Sequence, residues 1–267
     1  MLGFFNEIKK FNTFKRSKKS VTLAGALVFF AVFSIVPTAY LLSLAFSLFG
    51  KELSSIASLF NIKEFEEVKS FLLDATTKLS ASGNAVVLFT MIYSSANLFV
   101  HLKLTGEFIY NYKPIKALKL RVFSILVTII LSLFLAVLLV IYAYLSVKIK
   151  LFLGNIIGGV LNIAFLFFIV FASVIILNLY ACPYKIKAKE VLFGSIYTSV
   201  FFVLSSVIFI VYINYFKGFS RAYLNLSTVI VFLGWLFVIM RCLVSGFIIN
   251  AYQIGRLKTR KNLDLKL

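Results

Sequence analysis

The sequence predicts an all-α, polytopic membrane protein, a bundle of six transmembrane helices, and three observations predict it. Six apolar stretches follow one another, each about 20 residues or more, enough at ~1.5 Å per residue to cross a hydrocarbon core of ~30 Å. The composition is 61% hydrophobic and 14% charged, with a mean hydropathy of +1.02. The basic residues gather in alternate gaps: 18 of the 28 Lys and Arg lie in residues 1–20, 107–121, 182–190 and after Tyr252. That alternation is the positive-inside pattern and places both termini in the cytoplasm. It also explains the net charge of +19. The expected partners are membrane lipids, with anionic headgroups at the cytoplasmic face, rather than nucleic acid.

The elements follow in order. Residues 1–20 form a basic cytoplasmic arm. The first span covers residues 21–49, too long for the ~7–15-residue apolar core of a cleaved signal. Pro37 lies inside it, removes one helix hydrogen bond, frees the Phe33 carbonyl and predicts a kink. The first outer loop, residues 50–83, holds five of the nine acids, Glu52, Glu64, Glu66, Glu67 and Asp74. Asn61 three residues before Glu64 resembles a capping box, and Phe65, Val68, Leu72, Ala75 and Leu79 recur at helical spacing. An amphipathic helix against the outer face is expected there.

The second span, residues 84–104, carries Thr90, Ser94, Asn97, His101 and Thr105 at spacings of three and four, one narrow stripe of a helix. Polar groups are costly in hydrocarbon, so the stripe is expected to face the bundle interior, either for interhelical hydrogen bonds or as a polar pathway. Lys103 points away from it, and an i,i+4 pair with Glu107, the lysine reaching to the interface, accounts for both. Spans three and four, residues 122–147 and 156–181, are joined by a connection short enough to make them antiparallel. Cys182 and Cys242 lie at different depths, too far apart for a mutual disulfide.

The fifth and sixth spans cover residues 191–216 and 226–252, followed by a basic cytoplasmic tail, residues 253–267. Arg241 falls near the middle of the sixth stretch, where an arginine costs at least ~2.5–3.5 kcal/mol. Ser227, Gly234, Ser245 and Tyr252 share its face. Two readings stand: a structural arginine satisfied by backbone, water, His101 or Asn97, or one that meets an anionic group such as a lipid phosphate. The candidate ligand or pathway residues are therefore Arg241, His101, Asn97, Ser94 and Ser245. Trp235 is expected to pack between helices.

Three segments, residues 24–37 of the first span, Pro183 through Gly194 at the entry to the fifth, and Tyr212 through Asn250 near the end, together resemble the YihY/BrkB family of bacterial inner-membrane proteins. Ala24-Gly-Ala-Leu-Val-Phe-Phe-Ala-Val-Phe-Ser-Ile-Val-Pro37 is similar to the signature of its first span. Pro183, the basic stretch after it, Lys189-Glu190 and Gly194 are similar to its entry into the fifth span. Tyr212, Tyr223, Trp235, Gly246 and Asn250 are similar to its ending. Leu224 stands where the family pattern has Gly and Ile248 where it has Glu, so a role for that carboxylate does not carry over. The resemblance implies six spans and cytoplasmic termini, and links to envelope lipid or virulence traits in some members. The family's ribonuclease BN label is regarded as a misassignment.

No sequence pattern for a catalytic carboxylate cluster, metal site or ATP-binding loop occurs, so neither an enzyme nor a cofactor is expected. The expected function is transport or handling of an anionic lipid or other envelope solute without ATP hydrolysis. A non-transporting scaffold or assembly factor is the alternative.

Overall fold

The computed structural model describes residues 11–47, 85–184, 186–215 and 221–264, which are helical or short connections with no strand among them. Residues 11–17 are helical, and then come α1 (Ser20–Ser47), α2 (Ala85–Ile109), α3 (Ala117–Ala181), a 3-10 turn (Ala188–Val191), α4 (Leu192–Tyr215) and α5 (Arg221–Asp264). The amphipathic helix expected within residues 50–83 lies outside the described residues. Among the described residues, five stretches are long and apolar enough to cross a membrane: Ser20–Leu42, Ala117–Tyr142, Ile163–Ala181, Ala188–Tyr212 and Val229–Gly255. The expected second span forms α2 but is not among these five. Large apolar side chains on these helices, among them Phe29, Phe168, Phe193 and Ile208, are exposed. That surface suits lipid as solvent and would be a liability in water.

α3 carries 65 residues in one helical run, where the sequence predicts two antiparallel spans. Its geometry restores the hairpin. The Tyr142 and Phe165 rings stack with centroids 5.9 Å apart, whereas a straight helix would hold them about 34 Å apart. The run therefore doubles back between these two residues.

The chain divides into two compact units. One comprises Phe30–Val100 and Ile115–Ser173. Within it Ala45 packs on Ala136, with Leu42, Leu139 and Val140 around them. Two of its buried hydroxyls bond back along their own helix: Ser124 Oγ donates to the Leu120 carbonyl and Thr128 Oγ1 to that of Ser124. A hydroxyl in an apolar helix satisfies itself this way without a partner helix. α1 continues through Pro37, which is buried in this unit.

The other unit comprises Met1–Phe29, His101–Pro114 and Val174–Leu267. Leu27, Ile109, Val191, Val244, Phe247 and Ile248 form its fully buried apolar centre. Ile248, at the position of the missing carboxylate, is thus core packing. Trp235 is stacked on Phe209 and edges against Phe202 and Phe232, between α4 and α5 as expected. Cys182 and Cys242 are buried and free.

Candidate functional site

α4 and α5 touch backbone to backbone. A Cβ on Gly194 would overlap the Gly246 carbonyl and the Asn250 amide, and one on Gly246 would overlap Thr198 Oγ1. That contact lets Asn250 reach two other helices. Its Oδ1 accepts from the Gly194 N–H at 2.8 Å, and its Nδ2 donates to Asn178 Oδ1 at 2.7 Å. Asn178 Nδ2 donates in turn to the Val174 carbonyl at 2.9 Å. Thr198 Oγ1 donates to the Gly194 and Cys242 carbonyls. Asn178 and Asn250 are fully buried, so α3, α4 and α5 share one satisfied polar chain. Sequence reading found Gly194, Gly246 and Asn250 through resemblance and missed Asn178, although an amide inside an apolar run was the available signal.

A second close approach joins α2 to the end of α3. A Cβ on Gly106 would overlap the Ala181 carbonyl. One turn back, Lys103 Nζ donates to the carbonyls of Tyr180 and Cys182 at 2.8 and 3.0 Å. Those carbonyls end a helix and lack partners within it, and a cation there also meets the negative end of the dipole. This corrects the expectation that Lys103 reaches to the interface: the side chain is 5% exposed. Glu107, also buried, does interact with it electrostatically. Nearby, Tyr110 and Tyr112 set their rings edge-on against Tyr184. Burial, and then the neighbouring Cys182 thiol, push the Tyr110 phenol well above its ordinary range.

The polar stripe of α2 does not line up with the buried face. Thr90 is exposed, Ser94, Asn97 and His101 are half-buried, and Thr105 is buried. The buried stripe is instead Ser95, Phe99, Leu102, Gly106 and Ile109. Ser94 offers its carbonyl to Ser34 Oγ at 3.4 Å. Asn97 Oδ1 accepts from Arg121, whose guanidinium lies 4.1 Å from the centre of the Tyr93 ring and donates to its hydroxyl. The neutral partner expected for Arg241 thus serves Arg121.

Arg241 itself is exposed. It opens into a cleft of about 590 Å³ whose other walls are Asn12, Lys15, Arg16, Lys19, Ser20, Val21 and Thr22. The expectation of an arginine within the bundle is corrected. Arg241 lies close to the middle of α5 as well as of its apolar stretch, so its level is read from its neighbours on other helices. Cys242 and Gly246 lie beside Thr198 and Gly194, within the first two turns of α4, and Arg241 stands beside the first turn of α1. Ser245, one turn on, is buried within hydrogen-bonding reach of the Tyr197 hydroxyl and is not a wall of the cleft. His101 is not among the lining residues either.

The cleft exists because the arm folds back. Residues 11–17 lie on α5, with Phe11 and Phe14 against the Tyr252 ring at 5.4 and 5.6 Å. Lys18 is buried, donates to Asn111 Oδ1 at 2.7 Å and lies over the Phe14 and Phe108 rings. Lys19 makes the corner with φ of 47°, a left-handed conformation that costs a side-chain-bearing residue about 1–2 kcal/mol. Among the described residues no three His, Cys, Asp or Glu side chains cluster as metal ligands.

No curated protein and no solved structure matches the chain. A family model described as virulence factor BrkB matches residues 13–264, from the arm through the polar chain to the end of α5, and the protein belongs to the BrkB family.

Proposed function

We propose that this BrkB-family membrane protein crosses the inner membrane six times with both termini cytoplasmic, and there transports or handles an anionic lipid or other anionic envelope solute. It acts without ATP hydrolysis and without covalent chemistry. The observation that carries the reading is Arg241 exposed in a cleft with Lys15, Arg16 and Lys19, with no carboxylate among the lining residues. Basic side chains at a membrane surface gain about 1 kcal/mol each from anionic lipid. Four together attract anions and repel one another until one arrives.

A scaffold is the second reading, and the fully satisfied chain through Asn178, Asn250 and Gly194 favours it, since that packing needs no ligand. Flux separates the two. In proteoliposomes containing fluorescent phosphatidylglycerol, the wild type is expected to accelerate exchange between leaflets, and Arg241→Leu to slow it about tenfold with the fold intact. Exchange no faster than in protein-free vesicles would end the transport reading and leave the scaffold.

A further inference from the structure

We infer that the cleft between the arm and α5 is a docking site for an anionic glycerophospholipid, its phosphate among Lys15, Arg16, Lys19 and Arg241 and its acyl chains along α1 and α5. The inference rests on the reading that the protein handles an anionic lipid, and it names where that lipid binds.

The head of the site is built for phosphate. Four cationic side chains from two separate segments converge on one cleft, with Asn12, Ser20 and Thr22 supplying neutral hydrogen-bonding groups. Lysine contributes point charge and arginine a planar fork of donors, the mixture that suits a tetrahedral anion. The first turn of α1 also borders the cleft. Its dipole favours negative charge there, although the Leu23 N–H is already taken by the Lys19 carbonyl.

The walls below explain why the ligand is a lipid rather than free phosphate. From Arg241, α5 carries an exposed stripe through Val238, Gly234 and Ile230 at helical spacing. From Thr22, α1 carries another through Gly25, Ala26 and Phe29. Both glycines have open space where a side chain would stand, so each stripe is an exposed apolar face that starts at the cationic cleft. Phosphate above and hydrocarbon below is the chemistry of a phospholipid.

Native mass spectrometry tests this on the full chain in neutral detergent, offered equimolar dioleoyl phosphatidate and dioleoyl phosphatidylcholine. The wild type is expected to keep phosphatidate in preference to phosphatidylcholine by about tenfold or more. Lys19→Gln with Arg241→Gln should erase the preference, because both side chains are exposed and their loss leaves the core alone. Lys113→Gln with Lys116→Gln, an equal change of charge at exposed positions elsewhere, should keep it. Millimolar inorganic phosphate should not displace the lipid. Equal retention of the two lipids, or the same preference in both double variants, overturns the site. Displacement by inorganic phosphate reassigns it to a soluble anion and overturns the lipid. Because this readout is binding and not flux, a protein that keeps phosphatidate yet moves no lipid would sink the transport reading and leave the site standing.

Discussion

At the scale of single residues, direction of donation decides what each substitution costs. Asn250 gives a hydrogen bond to Asn178 and takes one from Gly194, so Asn250→Leu strands a donor and an acceptor in a dry joint. A loss of about 1–3 kcal/mol is expected, read as a lower unfolding midpoint in detergent. Asn250→Asp keeps the acceptor and loses the donor, setting its carboxylate against Asn178 Oδ1, and should be no better tolerated. Lys103→Met similarly leaves the Tyr180 and Cys182 carbonyls without their donor. Alkaline pH tests another residue. Tyr110 holds its proton more tightly when folded than its ordinary value of about 10, so its contribution is complete below pH ~10 and is lost as pH rises beyond it. Tyr110→Phe should flatten that alkaline loss of stability.

Between elements, the glycines mark where helices touch. Gly106→Ala and Gly246→Ala push a methyl into backbone or a buried hydroxyl on the neighbouring helix and should cost about 1–3 kcal/mol or more. Gly25→Ala meets nothing and should be neutral or better for α1. Thermal unfolding of the three variants side by side checks the contrast. The reversal in α3 is testable by distance: spin labels at positions 142 and 165 should report a separation far below the ~34 Å of a straight helix. Hydropathy made the apolar stretches legible in the sequence, because length and transfer energy act residue by residue. It did not reveal which face of α2 is buried. Polarity predicted the stripe through Ser94, Asn97 and His101, whereas burial follows the small and apolar residues around Gly106 that admit a neighbouring backbone. The site was half legible. Arg241 stood out as a charge in an apolar run, but its companions Lys15, Arg16 and Lys19 are more than two hundred residues away in sequence. Only the corner at Lys19 brings them together.

For the molecule as a whole, the proposed orientation is open to one measurement. Reporter fusions at the two ends should both report the cytoplasm, and opposite sides would invalidate every inside and outside assignment. The division into units then sets an order of events. The unit made of Phe30–Val100 and Ile115–Ser173 has all its pieces once Ser173 is made, whereas the other joins segments from both sides of it in sequence. Phe11 and Phe14 leave the ribosome well before Tyr252, the ring they rest on. Until Tyr252 is made, the cationic arm lacks the seat it has in the folded unit. Nascent chains stalled before Tyr252 should therefore expose Phe11 and Phe14 to protease, and chains that include Tyr252 should shield them.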